Sequence, residues 1–142
     1  MRTVLIAHRD PGVANCLEAD FRRVGYHINT CPGPFPPKLR CIQCDTGYCP
    51  LTDAADVLIY DPTLVGLGVS GASQNLALET ARAHPDIPML VTAFTPGEVE
   101  AAPAVIAQAA NVGIAAQDRS EILLQVDQLA SRATDVQSLA PR

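Results

Sequence analysis

The chain has 142 residues, the length of one domain with a core of its own, so neither a metal nor a disulfide is required merely to hold it together. Hydrophobic residues make up 48 % and charged residues 18 % of it, which excludes a disordered chain. The formal net charge of −5 argues against nucleic acid as a partner, because phosphate binding needs a basic surface.

Thr3 to Ala7 (TVLIA) is a short continuous apolar run, the mark of a strand buried on both faces. Met1 to Ala7 therefore reads as part of the fold and lacks the pattern of a secretory leader. No apolar run reaches the roughly 18 residues that cross a bilayer. A cytoplasmic protein without a membrane partner is expected. Asp10 reads as a helix N-cap with Pro11 at the first helical position. Val13, Leu17, Phe21 and Val24 recur at helical spacing, and Gly25 closes that helix. Cys16, within it, reads as a small buried hydrophobe. Tyr26 to Thr30 is a second, weaker strand.

The segment from Cys31 to Cys49 (CPGPFPPKLRCIQCDTGYC) holds four of the five cysteines. Five prolines from Pro32 to Pro50 forbid a long crossover helix where one would otherwise sit. Beyond it, Ala55 to Tyr60 is a third strand at the sheet centre, ending in Asp61-Pro62. Gly66 to Ser73 reads as a flexible glycine-rich loop. Its letters match a dinucleotide fingerprint, but such a motif directly follows the first strand. Asn75 to His84 is a helix with Leu76, Ala77, Thr80 and Ala81 on one face. Met89 to Phe94 is a fourth strand. Thr95, Pro96 and Glu98 form a capping box, opening a helix that reaches about Ala110 with an interruption at Pro103. Val112 to Ala116 is a fifth strand. Asp118 and Glu121 form another capping box, and Ile122, Leu123, Val126, Leu129, Ala130 and Ala133 line the inner face of the last helix. One domain over 1–133 is expected, with an insert at 31–54 and a frayed tail at 134–142.

Five strands alternating with helices imply parallel pairing, right-handed crossovers and helices on both faces. The fold class expected is α/β, a flavodoxin-like three-layer sandwich with sheet order 2-1-3-4-5 and helix 2 replaced by the Cys/Pro-rich loop. Ligands of such sheets bind at the carboxyl ends of the strands. That edge carries His8, Arg9, Asp10, Asp61 and Thr92.

At these residues the chain resembles the receiver (CheY-like) domains of bacterial response regulators, over most of its length outside 31–54. VLIAHRDP with its following helix is similar to a receiver's first strand and helix. ADVLIYD is similar to the third strand, and Asp61 matches the phosphorylated aspartate. ARAHPDIPMLVTA is similar to the third helix, turn and fourth strand, with Thr92 matching the family's hydroxyl residue. SEILLQVDQL is similar to the final helix. The resemblance implies a cation held by an acidic pair after the first strand, assisting phosphoryl transfer to the aspartate. Here His8 and Arg9 stand at the acidic pair, and only Asp10 is acidic nearby. The family's lysine after the fifth strand falls at Ala115 or Ala116. The implication is a degenerate edge, a pseudo-receiver without enzymatic activity. Arg9 is then expected to lie near Asp61 and pair with it.

Cys41-Ile42-Gln43-Cys44 is a Cys-x-x-Cys turn that can present two thiolates to one tetrahedral ion. With Cys31 and Cys49 it supplies the four ligands of a closed structural zinc site, and Lys38 and Arg40 offset part of the thiolate charge. An iron–sulfur cluster also takes four thiolates, and a redox dithiol at Cys41 and Cys44 is a further alternative. The function expected from sequence is a non-enzymatic signalling or protein-interaction domain bearing zinc, with another protein or a second copy of the chain as partner. A thiol-redox or iron–sulfur sensor and an atypical phosphoreceiver are the alternatives.

Overall fold

A computed structural model describes residues 2–31, 33, 41, 48–67, 73–114 and 118–139. The elements run β1 (Thr3–Ala7), α1 (Pro11–Arg23), β2 (His27–Cys31), α2 (Pro50–Asp53), β3 (Val57–Tyr60), β4 (Val65–Leu67), β5 (Ser73–Asn75), α3 (Leu76–Ala83), β6 (Met89–Val91), α4 (Pro96–Gln108), β7 (Val112–Ile114) and α5 (Arg119–Leu139). Five strands form one parallel sheet in the order β2-β1-β3-β6-β7, and β4 with β5 makes a separate two-stranded antiparallel ribbon. Counting only the main sheet, this is the 2-1-3-4-5 order expected from sequence.

The alternation of side chains along each strand builds two cores. Leu5 and Ala7 of β1, Leu58 and Tyr60 of β3, and Met89 and Val91 of β6 pack with Leu76, Ala77 and Ala81 of α3 and with Ala102 and Val105 of α4. Val4, Ile6, Val57, Ile59 and Leu90 face the other way, against Leu17 and Phe21 of α1 and Ile122, Val126 and Ala130 of α5. Apolar runs in β1 and β3 thus reflect burial on both faces, as continuous hydrophobic strands require. Two polar links fasten the second layer. Arg119 donates to both carboxylate oxygens of Asp20 at 2.6 and 2.7 Å, and the Tyr26 hydroxyl donates to Asp127 at 3.1 Å.

Several local expectations shift. Asp10 caps α1 as expected, accepting from the amides of Gly12 and Val13. Gly25 follows the helix with φ +96°, a conformation in which a side chain would be strained. Val24, however, is the C-cap and is 59 % exposed. Cys16 is exposed as well. It lies off the stripe of Ala14, Leu17 and Phe21 that meets the sheet, so the buried-hydrophobe reading fails. The glycine-rich stretch contributes to the β4–β5 ribbon at its two ends, and 68–72 lies outside the described residues. The helix α4 is continuous through Pro103, where sequence suggested an interruption. The last helix runs on to Leu139, past the point where fraying was expected. No described helix is long and apolar enough to cross a membrane.

Candidate functional site

Sheet register assembles the edge. Ala7 pairs with Cys31 and with Tyr60, and Tyr60 with Val91, so the residues that follow, His8, Asp61 and Thr92, emerge side by side. Backbone bonds continue the ladder past the strand ends: Asp61 N–H donates to Ala7 C=O at 2.7 Å, Thr92 N–H to Tyr60 C=O at 3.0 Å, and His8 N–H to Cys31 C=O at 3.2 Å. Four strand ends are thereby locked together, and the site rests on rigid elements.

Asp61 is fully buried. Its Oδ1 accepts from the amide of Thr63 at 2.8 Å and from that residue's hydroxyl at 2.6 Å. Its Oδ2 is buried and accepts no hydrogen bond among the described residues. The group facing it is Arg9, whose Nε lies 3.6 Å away while its side chain stays 61 % exposed. The pairing expected from sequence is therefore present as an ion pair, one too long for a good hydrogen bond.

His8, which sequence placed on this edge without a partner, is buried and has two. Its Nδ1 accepts from the amide of Asp10 at 3.0 Å. A nitrogen that accepts must keep its lone pair, so the proton of the neutral ring sits on Nε2. That Nε2 faces Glu98 Oε1 at 3.2 Å and donates to it. Asp10 itself turns away to cap α1. Thr92 is buried, and its hydroxyl donates to Glu98 Oε2 at 2.6 Å.

Glu98 is the residue sequence reasoning misplaced. Thr95 Oγ accepts from the Glu98 amide at 3.2 Å, which is one half of the expected capping box. The other half is absent: the Glu98 carboxylate does not turn back to the Thr95 amide but is 1 % exposed and accepts from Thr92, from the Phe94 amide at 3.1 Å and from His8. The signal lay in the sequence only as an acidic residue three positions past a cap, which spacing alone assigns to the cap.

His8, Asp61 and Glu98 each bring a ligand atom within 4.8 Å of the others, the one such group among the described residues. The donor chemistry does not fit a cation. The His8 Nε2 lone pair is occupied by a proton because Nδ1 is an acceptor, and the Arg9 guanidinium already stands at Asp61. The edge is better described as partnered from within: guanidinium against Asp61, imidazole N–H against Glu98.

Cys31 ends β2 and Cys49 precedes α2, and with Cys41 they are free, half-buried thiols. Burial pushes the Cys31 thiol up, the Gly33 amide that donates to its sulfur at 3.4 Å pulls it down, and charges on Cys41 and Cys49 push it up again. The phenol of buried Tyr60 is pushed up to about 12, chiefly by burial, with charges on Cys31 and Cys49 adding to it. The sulfurs of the three cysteines do not form a group within 4.8 Å, and Cys44 lies outside the described residues, as do Lys38, Arg40, Ala115 and Ala116. On the opposite side of the sheet a cavity of about 420 Å³ is lined by Asp10, Val13, Cys16, Leu17, Phe94 and Arg119.

No family model matches the chain, and no curated protein matches it by sequence. Solved structures do match. A response regulator receiver domain protein from Clostridium thermocellum superposes with a TM-score of 0.65 at 12 % identity, covering 96 % of this chain and 99 % of that one. A CheY-like receiver domain protein from Methanospirillum hungatei JF-1 gives 0.61 at 8 % identity, over 95 % and 98 %. A structure described as an adenylate cyclase from Rhodopirellula baltica gives 0.61 at 18 % identity, over 96 % and 93 %. The fold is therefore that of receiver domains, along nearly the whole chain.

Proposed function

We propose that the protein is a non-enzymatic, receiver-type signalling domain that works by binding another protein, with its phosphoacceptor edge degenerate and a zinc ion held by Cys31, Cys41, Cys44 and Cys49. The observation that carries the first half is the Arg9–Asp61 ion pair, 3.6 Å long, over a fully buried carboxylate. The Arg9 guanidinium supplies positive charge where a divalent cation would otherwise bring it. Phosphoryl transfer to Asp61 needs that cation to neutralise the incoming oxygens, and His8 offers it no lone pair. Asp61 then serves to position the edge, not to react.

The thiol half rests on three half-buried cysteines, Cys31, Cys41 and Cys49, of which the last two disfavour a thiolate on the first. A dication relieves that repulsion, and backbone N–H donation to sulfur, as from Gly33 to Cys31, is the outer support thiolate ligands use. Closing the site requires the sulfurs to draw in to tetrahedral Zn–S distances of about 2.3 Å. Zinc binding would shape one surface for a partner, a second copy of the chain included.

Two measurements on purified protein test this reading. Acetyl phosphate with Mg²⁺ should leave the protein's mass unchanged, and an Asp61-dependent phosphoryl adduct would overturn the first half. Metal analysis with a thiol count should give one zinc per chain. Metal-free protein with freely reacting thiols would overturn the second half, and a coloured protein with an iron–sulfur absorption band would replace zinc by a cluster.

A further inference from the structure

Three donors from two segments, the end of β1 and the connection after β6, converge on one carboxylate. Thr92 Oγ lies 2.6 Å and the Phe94 amide 3.1 Å from Glu98 Oε2, and His8 Nε2 lies 3.2 Å from Oε1. Thr92, His8 and Glu98 are 0, 2 and 1 % exposed. The donors are fixed by the sheet: His8 by the end of β1, Thr92 by its backbone bond to Tyr60. The His8 tautomer is fixed by the Asp10 amide. Glu98 is the third residue of the 13-residue helix α4, so the positive end of that helix dipole lies behind the carboxylate. Converging N–H and O–H groups with a helix N-terminus make a cage for an oxyanion.

We propose that this cage is a carboxylate- and phosphate-class anion site whose occupant is the protein's own Glu98, a ligand held in cis. Had Glu98 served only as a cap, its carboxylate would turn back to the Thr95 amide. Instead it leaves that amide and fills the cage, tying the connection between β6 and α4 to the end of β1. External anions are excluded while it stays, and the Asp61 oxygen within 4.8 Å adds a like charge against their entry. The edge is thereby held in one arrangement whatever anion is in solution. The inference goes beyond the proposed function and does not depend on zinc or on a protein partner.

Glu98→Ala in the full chain removes the occupant and keeps the donors. Thermal unfolding is followed with formate, acetate and inorganic phosphate, against chloride at matched ionic strength. The variant should lose roughly 10 °C in Tm, and formate should restore several degrees saturably, as a ligand of the native state does. Wild type should respond to formate no more than to chloride. Glu98→Gln, which fills the same space with an amide, should be destabilised without rescue. A folded Glu98→Ala protein indifferent to every anion would overturn the proposal, as would wild type that gains as much from formate as the variant. Should Glu98→Ala not fold, the wild-type His8 ring decides: ¹⁵N spectra should show a bare Nδ1 and a slowly exchanging Nε2 proton, and a protonated Nδ1 would contradict the cage.

Discussion

Arg9 Nε stands 3.6 Å from Asp61 Oδ2, an exposed cation over a fully buried carboxylate oxygen that accepts no other bond among the described residues. Replacing Arg9 by Ala leaves that oxygen uncompensated. The guanidinium is 61 % exposed, so solvent screens it and the expected cost is about 1 kcal/mol, well below that of breaking a fully buried pair. Urea unfolding should show this loss in wild type and little of it in an Asp61→Asn background. Equal losses in both backgrounds would mean that Arg9 acts by packing alone.

Arg119 and Asp20 tie α5 to α1 through two hydrogen bonds. The guanidinium holds the Asp20 carboxyl below its ordinary value, against a smaller opposing effect of burial. A depressed folded-state pKa gives stability that is fully present above the unfolded value, about 4, and lost as pH falls through the lower folded value. The gap in urea midpoint between wild type and Arg119→Ala should therefore be full at pH 7 and shrink below pH 4. A gap that is constant down to pH 2 would exclude the ion pair as its cause.

Tyr60 is buried at the end of β3, and its phenol is pushed up to about 12, mainly by burial, with Cys31 and Cys49 adding to the shift. The folded state keeps this proton longer than the unfolded chain, so the associated stability is intact below pH 10 and lost as pH rises towards 12. Phenolate absorbance of native protein should show Tyr60 as the last of the three tyrosines to titrate, beyond Tyr26, which burial and its bond to Asp127 also push up. Tyr60→Phe should abolish that late step.

Gly33 opens the cysteine segment with φ +84°, and a Cβ there would stand 2.8 Å from Leu64 Cδ2. Gly33→Ala is strained twice, by conformation and by contact, and should cost about 1–2 kcal/mol. Since the Gly33 amide also donates to Cys31, the same variant should weaken the proposed zinc site. Measured against Leu64→Ala alone, which carries its own core cost, Gly33→Ala should still be destabilising, because the backbone strain remains. Disappearance of the Gly33→Ala loss in that background would reduce the role of Gly33 to clearance.

Much of this was legible in the sequence because it depends on burial. VLIA and VLIY are apolar throughout, and only a strand covered on both faces uses such runs, so sheet order and edge followed from topology. Arg9 and Asp61 could be brought together for the same reason: strands one and three are neighbours, and both residues sit just past the strand ends. Glu98 could not. Its local spacing fits a cap, and its actual partner His8 is ninety residues away, a contact that only the sheet creates. Cys16 misled because a small thiol on an amphipathic helix is ambiguous by periodicity. The tail was read as frayed because its last turns carry few apolar residues, yet the helix continues to Leu139.

The central claim is that Asp61 is answered by the protein's own groups and not by a cation and a phosphoryl group. Amide NMR spectra of the intact chain, recorded with and without Mg²⁺ and beryllofluoride, test it most directly. The account predicts superimposable spectra at Asp61, Thr92 and Phe94. Shifts at these amides that vanish in Asp61→Asn would contradict it.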